Sequence, residues 1–276
     1  MNPTFAARVL SDSLRQLLDQ TYVADADGVI VGHLFGALLE STNRRGVWVG
    51  PDGASFDDTD VLADLYGVAA AQWIARGALE HYVWVLDHPS ATQPWYELGF
   101  ARAHERGVLT LDEQRDHRLP DGYTLRYGGP DDIELAVALD AVLDEAQRSG
   151  PSFTIGLDHT SDRRELVETL EDPEVHYYVV EHRGRGVAQC ITFPLPEMRG
   201  SFEGTLHLSA VATLPEHRRR GIATAMVDVA LDEARRQGFS HVETNWRVTN
   251  RVAARYWTSY GFQPTYVRLH RTIGAD

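Results

Sequence analysis

Two stretches of this 276-residue chain follow one plan. In the first, a helical pattern over Asp60–Arg76 stops at Gly77. A strand pattern follows over His81–Leu86, and a short helix closes on Trp95-Tyr96-Glu97-Leu98-Gly99-Phe100. In the second, a helical pattern over Gly221–Gln237 stops at Gly238, His241–Trp246 reads as a strand, and Asn250–Tyr260 as a helix. It closes on Trp257-Thr258-Ser259-Tyr260-Gly261-Phe262. Glycine just past a helix accepts the left-handed backbone that ends it, so matching glycines mark matching elements. Repetition on this scale predicts two copies of one α/β fold.

A charged, weakly apolar stretch, Asp112–Asp121, separates the copies and ends in the turn composition Leu-Pro-Asp-Gly. It sets expected domains of 1–118 and 119–276. In the second, Tyr123–Tyr127 reads as a strand, Pro130 opens a helix to Ser149, and Ser161-Asp162 caps a helix to about Leu170. Strands follow at Val175–Glu181, Gly186–Phe193 and Thr205–Leu214, and Phe262–Ile273 is expected to finish that sheet. The first copy starts late. A helix at Ser11–Gln20 precedes strands at Tyr22–Ala26, Val29–Glu40 and Val47–Val49, and nothing before Ser11 matches the first strand and long helix of the second copy.

Composition narrows the chemistry. All 26 basic residues are arginine, so there is no lysine for a Schiff base, a pyridoxal-phosphate anchor or a lysine-bearing phosphate loop. Cys190 stands alone, which excludes an internal disulfide, a CxxC pair and a cysteine-rich zinc site. The twelve histidines show no helix-spaced pair, and no metal site is expected. A net charge of -14 argues against nucleic acid and is compatible with a cationic substrate. No apolar run approaches the ~20 residues of a membrane span, and the N-terminus lacks a secretion-signal pattern, so a cytoplasmic protein is expected.

The segment richest in chemistry is Val211-Ala212-Thr213-Leu214-Pro215-Glu216-His217-Arg218-Arg219-Arg220-Gly221-Ile222-Ala223-Thr224. A strand pattern stops at proline, a basic loop follows, and Gly-x-Ala opens a long amphipathic helix. Unpaired N–H groups at a helix start carry partial positive charge and cradle phosphate. Small residues let an anion approach the backbone, and arginine adds charge. A solvated loop with a tight helix start would use the same residues.

Arg218-x-x-Gly221-x-Ala223 after a strand, then Asn250-x-x-Ala253, Tyr256-Trp257 and Gly261-Phe262, resembles the GNAT superfamily of acetyl-CoA-dependent N-acyltransferases. The resemblance covers about Asp121 to Ile273, with the first copy a weaker echo. Asn245–Asn250 and Tyr266–Arg271 look like a two-domain type common in actinobacteria. It implies an α/β (α+β) fold class: two tandem GNAT-like domains, each a mixed, largely antiparallel sheet flanked by helices, the first truncated and degenerate. It further implies that Arg218, Arg219, Arg220, Gly221, Ile222, Ala223 and Thr224 hold the pyrophosphate of acetyl-CoA. Val211 and Thr213 would meet the pantetheine arm by backbone, with Ala212 near the oxyanion. Asn250 and Trp257 join the cofactor site, Asn250 being equally suited to cap a helix. In the first copy the matching segment, Gly50–Thr59, has no arginine and carries Asp57 and Asp58 with Asp60 just beyond, carboxylates where a phosphate should sit. That copy is expected to have lost the cofactor and to wall the substrate cleft.

Acyl transfer to an amine needs a base, stabilisation of an oxyanion and departure of a thiolate. His207 is the leading base, at the position where related histone-modifying enzymes carry glutamate. A histidine held by hydrogen bonds in the sheet is the alternative reading. An unperturbed imidazole titrates near ~6.5 and suits the task. Glu243 and Glu203 are weaker candidates. The resemblance places an acidic tyrosine at the position occupied here by Trp257, which cannot supply a proton. Tyr256 and Tyr260 are the substitutes, core packing being their other role. Cys190 reads as a buried apolar residue. The expected function is acetyl transfer from acetyl-CoA to an amine of a small, possibly cationic molecule. The rivals are a non-catalytic acyl-CoA-binding module and an acyltransferase acting on a protein amine.

Overall fold

Strand and helix patterns along the chain become two layered units. A computed structural model describes residues 21–40, 45–112, 118–153, 159–195 and 202–274. The helix expected at Ser11–Gln20 lies outside the described residues, as do parts of the loops 153–160 and 194–201. Contacts divide the chain into one unit of residues up to Ala103 together with Tyr266 onward, and a second of His104–Thr265. Thirteen strands and six α-helices are described below; two of the strands, Ala101–Thr110 and Gln263–Thr272, each have residues in both units.

In the first unit β1 (Thr21–Ala26), β2 (Val29–Phe35) and β5 (Ala54–Phe56) form a small antiparallel sheet, in the order β1-β2-β5. The larger sheet runs β3 (Ala37–Glu40), β4 (Arg45–Val49), β6 (Glu80–Leu86), β13 (Gln263–Thr272). Its β4 and β6 are parallel, and the outer pairings are antiparallel. Helix α1 (Thr59–Ala75) presents Leu62, Leu65, Ala69 and Trp73, spaced three and four apart, to Val47, Val49, Val83, Val267 and Leu269. Helix α2 (Pro89–Glu97) adds Trp95 to the same core. Each fully buried Leu or Val contributes about 1.5–3 kcal/mol relative to exposure.

The second unit has the order β7 (Ala101–Thr110), β12 (His241–Arg247), β11 (Thr205–Thr213), β10 (Arg185–Pro194), β9 (His176–His182), β8 (Tyr123–Tyr127). Only β11 and β12 run parallel. Helices α3 (Ile133–Arg148), α4 (His159–Glu171), α5 (Ile222–Arg236) and α6 (Arg251–Tyr260) complete it. On α5, Ile222, Met226, Ala230 and Ala234 recur every four residues and are buried with Val180, Cys190, Leu206 and Val242.

The expected domain limits at 118 and 119 lie within the second unit, because two strands do not stay with their sequence neighbours. Residues His104–Thr110 of β7 pair with β12, on the far side of the charged stretch. The strand expected at Phe262–Ile273 to finish the second sheet does begin there, with Gln263–Thr265 of β13 in the second unit and Thr265 Oγ1 donating to the Arg106 carbonyl of β7 at 3.2 Å. Tyr266–Thr272 then run in antiparallel register with Leu86–Glu80 of β6. Val267 and Leu269 are thereby buried in the first unit's core. β5 and β7 carry no strand in the sequence reading. In β7 the buried positions are His104, Gly107 and Leu109, spaced three and two apart with only one apolar side chain among them, so the apolar alternation that marks a strand is missing.

Candidate functional site

The parallel pair β11 and β12 is in register over Thr205–His207 and His241–Glu243. Just beyond, the Thr244 hydroxyl donates to the Leu208 carbonyl at 2.8 Å, a side chain standing where a ladder bond would run. The strands then part around a cavity of about 300 Å³. Its walls are His207–Val211 of β11, Thr244–Arg247 of β12, Asn250, Ala253 and Trp257 at α6, His104 of β7, and Asp140 and Asp144 of α3. A β-bulge shapes one wall: Gln189 faces Ala212 but Ile191 faces Ser209, which leaves Ala210 and Val211 opposite Cys190. Ala210 takes a left-handed φ of 49° there. Bulges re-aim the backbone locally, so this one turns peptide groups of β11 out of the ladder.

Downstream of the cavity β11 runs into the basic loop. Pro215–His217 form a 3₁₀ turn, Arg219 has φ 59° and Gly221 φ 80°. A Cβ on Gly221 would meet nothing within 4 Å, so glycine is required by backbone conformation and not by crowding. Gly221 is the N-cap of α5 and offers no side chain to the first N–H groups of the helix. Arg218, Arg219 and Arg220 are exposed around this opening, Arg218 Nε donating to the Thr213 carbonyl at 3.0 Å and Arg220 to that of Glu216 at 3.1 Å. Ile222 buries its side chain in the core and leaves its backbone at the opening, beside half-buried Ala223 and exposed Thr224. Val211 lines the cavity; Ala212 and Thr213 continue from it toward the loop. The loop is braced from behind: His217 Nδ1 and the Tyr123 hydroxyl are 2.9 Å apart, and His182 stacks on Tyr123 at 4.6 Å. Desolvation, with Arg183, His217 and Arg220 nearby, holds His182 below the usual imidazole range.

The candidate base His207 faces the cavity, its Nδ1 3.3 Å from Glu243 Oε1. Glu243 lies beneath it at 2% exposure, away from the cavity wall. Glu203 sits in the exposed turn before β11. Asn250 fills both its roles, accepting from the Ala253 N–H at 3.1 Å as the N-cap of α6 while lining the cavity. Trp257 is on the wall, packed edge-on against Phe262 at 5.2 Å. Tyr256 packs on the other side of Trp257, with ring centroids 4.8 Å apart, and the Tyr260 hydroxyl donates to Asp228 on α5. Neither tyrosine is on the cavity wall. Cys190 is fully buried, and burial pushes its thiol far above the ordinary range.

A model of the acetyltransferase (GNAT) family matches residues 139–262, the stretch that carries this loop and most of this cavity. This part of the chain is a GNAT domain. Solved structures extend the likeness to both units. A GCN5-related N-acetyltransferase from Kribbella flavida aligns with a TM-score of 0.61 at 16% identity, over 95% of this chain and 93% of its own. A tandem GNAT protein from the clavulanic acid biosynthesis pathway gives 0.60 at 16%, over 93% and 83%. A GCN5-related N-acetyltransferase from Sphaerobacter thermophilus gives 0.60 at 18%, over 92% and 81%. At these identities the likeness is one of fold, and the fold is a tandem GNAT fold. No curated protein sequence matches the chain. Membership makes acyl transfer the general chemistry of this domain.

The GNAT domain also recruits residues that its sequence did not flag. Trp246 lines the cavity and its Nε1 donates to Glu105 of β7 at 2.8 Å. Gly107 makes room for that ring, since a Cβ there would come within 2.5 Å of it; a glycine in mid-strand was the available signal. Asp140 and Asp144, one helical turn apart on α3, bring two carboxylates to the wall that also carries Arg247, and Asp144 is ion-paired with Arg148 at 3.6 Å. Arg247 is held by Gln147 at 2.9 Å.

The corresponding corner of the first unit is closed. Gly50–Thr59 folds against its own small sheet, with Phe35 N–H bonded to the Gly53 carbonyl and Asp57 N–H to that of Val31. Asp58 then caps α1, its Oδ1 accepting from Val61 N–H at 2.9 Å. Among the described residues, no group of three His, Cys, Asp or Glu is placed to hold a metal ion, and no helix is long and apolar enough to cross a membrane.

Proposed function

We propose that the GNAT domain transfers an acetyl group from acetyl-CoA to an amine of a small, cationic molecule, and that the first unit binds no acetyl-CoA. The supporting observation is the junction of an uncapped helix start, opened by left-handed Gly221, with a strand that parts from its neighbour beside a cavity. The pieces suit an extended donor with a phosphate at one end. N–H groups at the start of α5 and the arginines of the loop would hold the pyrophosphate. Val211 to Thr213 and Asn250 would hold the pantetheine arm. When bound, acetyl-CoA supplies an acetyl group activated as a thioester.

The remaining chemistry belongs to side chains and backbone on the wall. A peptide N–H of the bulged segment, at Val211 or Ala212, would stabilise the charge that develops on the carbonyl oxygen. His207 would take the proton that the attacking amine sheds as its bond to carbon forms. With both tyrosines off the wall, solvent would return a proton to the departing sulfur. Asp140 and Asp144, the latter shared with Arg148, would face the second positive charge of such an acceptor. A non-catalytic acyl-CoA-binding module is the second reading, favoured by that same absence of a tyrosine from the wall.

Two measurements decide. Acetyl-CoA should raise the melting temperature of the intact protein; no shift would end the proposal. Release of free CoA thiol across a panel of mono- and polyamines should then be fastest with polycationic acceptors. Tight binding without release across the panel would establish the binding module.

A further inference from the structure

Three charged or titratable groups from three adjacent strands meet at one oxygen behind the cavity. His207 of β11 and Glu243 of β12 are direct cross-strand partners, and Nδ1 of the ring is 3.3 Å from Glu243 Oε1. The same oxygen is 3.0 Å from Nε of Arg106, which β7 places diagonally across from Glu243, two residues before its partner Val108. Glu243 is 2% exposed and Arg106 is largely buried, so this is an interior group of charges. Phe193 of β10 packs against the imidazole with ring centroids 5.0 Å apart. The other ionisable groups of the cavity are His104 of β7, Arg247 of β12, and Asp140 and Asp144 of α3.

Resting on the proposed acyl transfer, we infer that Arg106 and Glu243 are positioning residues that fix which nitrogen of His207 carries the proton. A carboxylate paired with a guanidinium only accepts hydrogen bonds, so the ring must turn an N–H toward it from Nδ1. The single proton of the neutral ring is then on Nδ1, and Nε2 keeps its lone pair for the cavity. Arg106 is essential to this arrangement. Without its cation, a carboxylate this deeply buried is expensive to keep ionised, and the pair takes up a proton. That proton resides on Glu243, which then donates to Nδ1 and sends the ring proton to Nε2, or on the ring itself. Either way Nε2 loses its lone pair and the base is gone. The GNAT domain thus depends on β7, a strand that precedes the charged stretch in sequence.

The test reads ring nitrogens directly, without an acceptor. The full-length chain is labelled with ¹⁵N-histidine, and the His207 signals are assigned by their loss in His207→Gln. Spectra are taken near pH ~8.5, two units above the ordinary imidazole value of about 6.5. The expected wild-type pattern is a protonated Nδ1 and a bare Nε2, the reverse of the usual preference of free imidazole. Arg106→Gln should protonate Nε2 and lower CoA release by ~10²-fold or more, the usual contribution of a general base. The acetyl-CoA thermal shift should stay unchanged, and Arg106→Lys should restore the wild-type ring pattern. A wild-type ring protonated at Nε2 overturns the inference, as does a wild-type pattern persisting in Arg106→Gln. If Arg106→Gln does not fold, the wild-type and Arg106→Lys spectra decide. Failure of acyl transfer altogether would appear in the CoA assay and leave the ring spectra readable.

Discussion

The two units put the same helix on the same pair of parallel strands and begin it in opposite ways. In the first, α1 follows β4 by way of the short strand β5 and a turn that ends with Asp58, whose carboxylate accepts from Val61 N–H, with Asp60 in the first turn. In the second, α5 follows β11 through three arginines and starts at Gly221, which has nothing with which to cap it. Each helix buries an apolar face, Leu62, Leu65, Ala69 and Trp73 in one and Met226, Val227, Ala230 and Leu231 in the other, although α5 also buries Asp228 and Asp232. The core face of the helix therefore carries the fold, and a handful of residues at its N-terminus decides whether its first N–H groups are capped or left open. Retention of the fold in the first unit says nothing about retention of the ligand.

The most drastic way to break this comparison is to cut the chain where its composition suggests. A polypeptide of residues 119–276 lacks β7, so β12 loses the antiparallel partner of His241–Arg247, Glu243 loses Arg106 and Trp246 loses Glu105. It is expected to show no cooperative unfolding and no acetyl-CoA stabilisation by calorimetry. Residues 104–265 should retain both. Equal behaviour of the two polypeptides would show that β7 is dispensable to the GNAT domain.

Next in size is Gly221→Glu. A left-handed backbone costs a non-glycine residue about 1–2 kcal/mol. A carboxylate beside phosphate at ~4 Å adds repulsion of up to about 4 kcal/mol at an effective dielectric of 20. Acetyl-CoA affinity measured by calorimetry should fall at least ~10²-fold, while the far-ultraviolet circular dichroism stays native. Opening the first unit should have a smaller and different effect. Asp58→Ala removes the cap of α1 and should cost about 1 kcal/mol in urea unfolding, with acetyl-CoA affinity unchanged. A second bound acetyl-CoA in Asp58→Ala would mean that the carboxylate alone had been closing that unit.

The sequence displayed what is local and hid what is not. The glycine-ended helices, the basic loop and the Asn250 cap are runs of adjacent residues whose chemistry is decided within a turn or two, and they stand where the spacing put them. β7 was invisible because nothing local to Arg102, Glu105 and Arg106 tells that these charges are paired within the fold. Each meets a specific partner: Asp87, Trp246 and Glu243. The destination of β13 was invisible for another reason. Val267 and Leu269 alternate with Arg268 and His270 as any half-buried strand does, and alternation says which face is buried but not against which sheet. Asp140 and Asp144 looked like the polar side of α3 until β11 and β12 parted beneath them.

The subtlest expected difference between the units lies four residues beyond each helix-ending glycine, where the first has His81 and the second Val242, both buried. His81 is fully bonded as a neutral ring, with Nδ1 2.8 Å from the Tyr66 hydroxyl and Nε2 3.2 Å from the Ala78 carbonyl. A neutral tautomer donates to the carbonyl and accepts from the hydroxyl; a second proton would put two donors where one is wanted. Burial, which outweighs the bond to Ala78 and the charge of Glu80, lowers the imidazole below its ordinary value. The sign follows from linkage: the unfolded chain binds this proton more readily, so the contribution of His81 to stability is complete above pH ~6.5 and is lost as pH falls through the lowered folded value. Hydrogen exchange of peptides from α1 and β6 should therefore accelerate on acidification from pH 7.5 to 5, after correction for intrinsic exchange. His81→Val, which writes the residue of the second unit into the first, should remove that component and leave α5 and β12 as they were. A wild-type pH dependence persisting in His81→Val would place the proton-linked weakness of the first unit elsewhere, with the Glu80 and His270 pair as the next group to replace.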